Sequence, residues 1–180
     1  MIDPGVGRLV TGGIALLLAS AAWHKWRALG EFTAVLRAYR LLPDRWAGPA
    51  AAVIAALELA LAFALALATP AAWPSIAAAA LLLGYAAAIA INLGRQRLDL
   101  DCGCAARHAR RPIARWMVVR NLLLAAGVAA CALPWGPRPL TLTDLVTVGG
   151  GLAIAALLYI AIDRLLGEVL PRAALLRGRS

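Results

Sequence analysis

Five apolar stretches dictate what this chain can become. They cover approximately 9–23, 48–68, 76–93, 117–133 and 145–162, and Ala, Leu, Ile, Val and Gly supply most of each. A helix needs roughly 17–25 such residues to cross the hydrocarbon core of a bilayer. Only helices and closed barrels satisfy their backbone groups there without water. Apolar residues make up 63% of the chain and charged residues 15%, with a mean hydropathy of +0.80; a soluble domain carries about 45–50% and about 25%. The expected fold is therefore all-α and polytopic, with 1–180 forming a single transmembrane domain. Four core helices would form a compact bundle, with a fifth transmembrane helix at the C-terminal end. Small residues dominate these stretches, which suits helices that associate by close packing in lipid.

The first stretch needs a test against a cleaved leader. Ala19-Ser20-Ala21 resembles a cleavage site, but only Arg8 precedes it, offset by Asp3. That charged region is weak for a signal peptide, so an uncleaved first helix is expected. The basic residues are all Arg except Lys25, and Ala is in excess. This composition suggests a GC-rich bacterial genome and the bacterial inner membrane.

The net charge of +9 does not point to nucleic acid, and no binding motif for it is present. In membrane proteins, basic residues collect on the cytoplasmic side. The segments outside the first stretch, between the second and third, and between the fourth and fifth hold two basic residues, Arg8 and Arg138. The remaining loops, their edges and the tail hold sixteen. This asymmetry places the N-terminus outside and both long loops in the cytoplasm.

The connection after the first stretch is itself patterned. In EFTAVLRAYRLLP, residues Phe32, Val35, Leu36, Tyr39 and Leu42 recur at helical spacing, with Arg37 and Arg40 largely on another face. This predicts an amphipathic helix in the interface, ended by Pro43. Trp residues at 23, 26, 46, 73, 116 and 135 fall near the ends of the apolar stretches, as an aromatic belt would.

Chemistry concentrates around the segment DLDCGC, residues 99–104. Cys102 and Cys104 stand close enough in sequence to form a disulfide, through a tight ring that Gly103 makes accessible. A strained disulfide tends to oxidise a partner rather than persist. Arg95, Arg97 and Arg107 favour the thiolate, while Asp99 and Asp101 oppose it. Two other readings stay open. Asp101, Cys102, Cys104 and His108 offer up to four metal ligands, without the usual zinc spacing. The thiols can also be idle. Cys131 reads as a small buried apolar residue.

Glu58 lies midway along the second stretch, where an ionisable group is costly and by default marks function. The other reading is an interhelical hydrogen bond that only holds the bundle together. Asn92, Arg120, Asn121, His24 and Lys25 lie at stretch ends on the same side as the thiol pair. In a bundle they would converge beneath that loop. Snorkelling alone accounts for Lys25 and Arg120, less well for the asparagines.

Several of these features together resemble the MauE family, related to the DoxX-like proteins. They are the His24-Lys25 pair, Tyr39-x-x-Leu42-Pro43, Glu58, INLGRQRLDLDCGC over 91–104, and Arg120-Asn121. The resemblance covers roughly residues 5–165 and is most specific over 92–121. Where the family pattern continues with Phe-Gly, this chain has Ala105-Ala106. The resemblance implies a membrane component of thiol–disulfide chemistry, supporting maturation of a disulfide-rich client beside a thioredoxin-like partner. Cys102 and Cys104 would be the exchanging pair. Glu58, Asn92, Arg120 and Asn121 would line a polar pocket, with His24, Lys25 and Tyr39 in support. No residue requires a cofactor, though a quinone in the bundle is compatible with the pattern. Two other functions fit the residues: a non-enzymatic membrane assembly factor, and a protein handling a metal or small solute.

Overall fold

The computed structural model describes residues 1–67, 72–97, 100 and 113–177, with the side chains of 163, 164 and 166–177 excepted. Within them the chain is entirely helical apart from turns and one isolated bridge. Six helices follow one another: α1 (Pro4–Arg27), α2 (Leu29–Tyr39), α3 (Asp44–Leu67), α4 (Ala72–Gly94), α5 (Arg115–Ala130) and α6 (Leu142–Arg177). Four are long and apolar enough to cross a membrane: α1, α3, α4 and the Leu142–Ile162 part of α6. The protein is a multi-pass membrane protein.

The helices begin and end where local chemistry directs. Asp3 caps α1, its side chain accepting from the backbone N–H groups of Gly5 and Val6, and Pro4 occupies the first turn where no hydrogen-bonding N–H is needed. Helix α2 stops at Tyr39, short of the expected stop at Pro43. Arg40 adopts a left-handed conformation (φ 50°) and its N–H closes onto Arg37. That turn ends the helix before proline can.

The fourth apolar stretch departs most from its expected span. It forms a helix of 16 residues and then turns through 131–133. At 1.5 Å per residue, α5 is about 24 Å long, short of a hydrocarbon core of roughly 30 Å. Helix α6 departs in the other direction, running 36 residues to Arg177 instead of ending at Ile162.

The most extensive helix contacts are α1 against α3 and α4 against α5. The core is built largely from Ala and Leu: Ile14, Ala15 and Leu18 of α1 meet Leu61, Ala62 and Leu65 of α3, with Ala78 and Leu82 of α4 and Ala125 and Val128 of α5. Alanines recur on the inner face of α3 at 47, 51 and 55, each almost wholly buried. Such a face lets the neighbouring backbones come close. Helix α6 lies outside this core against α1, and no residue of its spanning segment is buried. The contact is tight at one point: a Cβ on Gly151 would stand 2.9 Å from Leu9 Cδ1.

The two ends of the bundle differ. At one end, the N-terminus is tied to the segment after α5: Ile2 N–H donates to Pro134 O at 3.0 Å, and Gly136 N–H to Ile2 O at 2.8 Å. There Arg138 joins Asp3 and Asp144 at 2.7–2.9 Å. The other end gathers the C-termini of α1 and α4 with the start of α5, and carries α2.

Candidate functional site

Lys25 lies in the last turn of α1, on the buried stripe that also holds Leu18 and Ala22. Glu58 lies on the buried face of α3, below Ala55. Lys25 Nζ donates to Glu58 Oε1 at 2.7 Å and to Oε2 at 2.8 Å. The side chains are only 3% and 1% exposed. Tyr85, from the middle of α4, donates its hydroxyl to Glu58 Oε1 at 2.6 Å. The Lys25 ammonium also stands over two aromatic faces, 5.1 Å from the Phe32 ring centre and 5.4 Å from that of Tyr85. One charge pair thus ties α1, α2, α3 and α4 together.

The chemistry of this arrangement is that of a compensated pair. A lone charge this deep would be costly, whereas here the two sum to zero and the carboxylate accepts three hydrogen bonds, two from Lys25 and one from Tyr85. Burial of an ion pair adds little net stability against an apolar alternative, but loss of one partner leaves an unpaired charge. The pair therefore joins α1, α3 and α4 at one buried point, where losing either partner is the costly change.

Lys25 and Tyr85 also line a cavity of about 320 Å³ between α2 and α4, otherwise walled mainly by apolar side chains such as Val35, Leu36, Ile54 and Leu81.

The remaining sequence-predicted residues are distributed around this centre. Asn92 is fully buried on the same face of α4, two turns beyond Tyr85, or about 10 Å along the axis. Its amide N–H donates to Ala88 O at 3.0 Å, and its oxygen accepts from Arg97 Nη1 at 3.5 Å. Arg97 N–H also donates to Asn92 O. Asn121 is buried on the face of α5 that holds Met117, Ala125 and Val128. Tyr39 is buried in a second apolar cluster with Ile89, Ile113 and Met117, so α2 is seated on α4 and the start of α5. His24, beside Lys25 in sequence, is exposed and does not join the ion pair. Arg120 stands over Trp116 (5.2 Å) and Tyr159 of α6 (5.8 Å), linking α5 to α6. Cys131 caps α5, buried as expected, with its thiol directed to Gly127 O at 3.5 Å.

Cys102 and Cys104 lie outside the described residues, as do Asp101 and His108 of the alternative metal set. What is described is where their segment leaves and rejoins the fold. Ile113 N–H donates to Leu100 O at 3.0 Å, and Leu100 packs on the Tyr39 cluster. Among the described residues, no three His, Cys, Asp or Glu side chains gather as a metal site would need.

Tyr85 was missed by sequence reasoning although a signal existed. It is the lone hydroxyl-bearing aromatic inside α4, and the argument that singles out Glu58 at mid-span applies to a phenol there too. The cavity had a weaker signal, the spacing of Ala80, Gly84 and Ala88, which reads equally well as a close-packing face.

These features define a class: a small multi-pass helical membrane protein with a buried ion pair in its bundle and a hydrogen bond between Leu100 and Ile113, the residues flanking its Cys-Gly-Cys sequence. The model of the family described as methylamine utilisation protein MauE matches residues 4–136, and the chain belongs to that family. Methylamine utilization protein MauE of Paracoccus denitrificans is 41% identical over 156 residues, 86% of this chain and 83% of the relative. The proteins of the same name from Methylophilus methylotrophus and Paracoccus versutus are 34% and 38% identical, each covering 92% of this chain and 88% and 91% of their own length. No solved structure matches.

Proposed function

We propose that this protein is a membrane thiol–disulfide exchange component serving methylamine utilisation. The pathway is taken from the names of its relatives, which resemble it over most of both chains. One feature of the fold supports the chemistry. The Leu100–Ile113 hydrogen bond closes the base of the 101–112 segment onto the Tyr39, Ile89 and Met117 cluster. The Cys-Gly-Cys sequence begins two residues past that anchor. A thiol pair entering the chain at a fixed base, at the end where Asn92, Arg97 and Asn121 also lie, suits repeated docking of a redox partner.

In the exchange, the thiolate of one cysteine attacks a disulfide of a thioredoxin-like protein or client. A mixed disulfide forms and one client sulfur leaves as a thiolate. The second cysteine then displaces the other client sulfur, closing the Cys102–Cys104 disulfide. Two electrons pass to the client, and the reverse sequence oxidises it. The basic-residue asymmetry puts this loop on the cytoplasmic side, which favours a cytoplasmic electron source for the pair. The buried ion pair is the scaffold for this end of the bundle.

The test is complementation of growth on methylamine in a Paracoccus denitrificans strain lacking its own MauE. The unaltered chain is expected to restore growth, and Cys102→Ser and Cys104→Ser each to abolish it at normal protein levels. Growth with both serine variants would reject the exchange chemistry and favour a non-enzymatic assembly factor. Impermeant maleimide applied to intact and permeabilised cells, before and after reduction, would read the sidedness. Labelling from outside only after reduction would place a disulfide in the periplasm and reverse the orientation.

A further inference from the structure

We infer that the cavity between α2 and α4 binds an uncharged amphiphile that presents a carbonyl-type oxygen to Lys25. At about 320 Å³ the cavity stands at the lower end of the range for small-molecule sites, roughly 300–1,000 Å³. Several of its lining residues, Leu41, Leu42, Ala80 and Gly84, are exposed, so it opens laterally from the bundle. The space has a local cause: Ala80, Gly84 and Ala88 recur every fourth residue on α4 and leave the side facing α2 unfilled. A Cβ on Gly84 would meet nothing within 4 Å.

The head-group chemistry follows from Lys25. An ammonium carries three donors and no acceptor. Two hydrogens go to Glu58. Among the described residues, the third meets only the ring faces of Phe32 and Tyr85. A ligand that completes Lys25 must therefore accept a hydrogen bond. It must also be neutral. The Lys25–Glu58 pair already sums to zero, so an anionic head would add an uncompensated charge beside a buried carboxylate. A cationic head would face the ammonium. A ketone, quinone or ester carbonyl meets both conditions, and the apolar walls take the hydrocarbon body.

The test uses 4-hexylbenzophenone, whose carbonyl is both head group and photoreactive centre, on the full chain in dodecyl maltoside and in phosphatidylcholine nanodiscs. Saturable cross-linking to peptides spanning 29–42 or 80–89 is expected. Competition by 2-undecanone should be at least tenfold stronger than by decanoate or undecane. Gly84→Phe should fill the cavity and cut the cross-link at least fivefold, with Ala80→Phe as a second plug. Gly94→Phe, at the end of α4 and outside the cavity, should leave it unchanged. Each variant is read on the monodisperse fraction. Cross-linking in maltoside that disappears in nanodiscs would assign the site to a lipid ester carbonyl, the same chemistry from the bilayer itself. Stronger competition by decanoate, label spread evenly onto α6, or a cross-link surviving both plugs would overturn the inference.

Discussion

Two three-membered charge networks look alike on paper. Lys25, Glu58 and Tyr85 meet at 2.6–2.8 Å, and Arg138, Asp3 and Asp144 at 2.7–2.9 Å. Their surroundings separate them. The first pair is 3% and 1% exposed, whereas Arg138 and Asp3 are each 45% exposed. Water and salt screen the second network, and little screens the first. Equal geometry therefore carries unequal consequence: the buried network joins four helices where an unpaired partner is costly, and the exposed one fastens the segment before α1 to the start of α6.

The largest effect should come from Glu58→Ala, which leaves Lys25 charged and unpaired. A loss of about 3–5 kcal/mol is expected, read by thermal or denaturant unfolding in detergent. The double variant Lys25→Met with Glu58→Leu should recover most of that loss. If it does not, the pair stabilises in its own right and the comparison is wrong. Tyr85→Phe keeps the ion pair and deletes one charge-assisted hydrogen bond, for about 1.5–3 kcal/mol. Gly7→Ala is next, because its Cβ would stand 2.8 Å from the Trp135 ring. That ring is held by its own hydrogen bond to Cys131 O, so a cost of roughly 1–3 kcal/mol follows from overpacking.

Arg138→Ala should have the smallest effect, visible in the melting temperature at low ionic strength and lost at high salt. Its pH dependence has a defined sign. The Arg138 side chain, helped by the N–H groups of Gly5 and Val6 and opposed by partial desolvation, holds the Asp3 carboxyl below its ordinary 3.8. Hydrogen bonds to Asp144 and Asp3 raise Arg138 in turn, so it stays charged throughout. A carboxyl depressed in the folded state contributes above its unfolded pKa and loses that contribution as pH falls through the folded value. The difference in melting temperature between the unaltered chain and Arg138→Ala should therefore persist from pH 7 to about pH 4 and vanish in stronger acid. A difference that grew on acidification would contradict the assignment.

The elements that sequence exposes are those set by local composition. Apolar runs locate α1, α3, α4 and α6, and the Phe32, Val35, Leu36 and Tyr39 spacing locates α2. Mid-span cost marks Glu58, and position at a helix end marks Lys25. Their pairing was not legible, because it depends on the axial register of α1 against α3, which hydropathy does not encode. The same holds for Arg120, whose neighbour in sequence, Asn121, faces the bundle while its own guanidinium reaches Tyr159. Hydropathy also overestimated α5: residues 131–133 are apolar enough to continue a helix but turn instead.

The Lys25–Glu58 pair also bears on the order in which the chain is made. Its members are 33 residues apart, one on each of the first two long helices. Lys25 leaves the ribosome first, near a helix end from which its ammonium can reach the interface. Glu58 follows in mid-span, where insertion of a charged residue costs roughly 2.5–3.5 kcal/mol. With the cation made first, docking of α3 on α1 would offset the cost of placing Glu58 in mid-span.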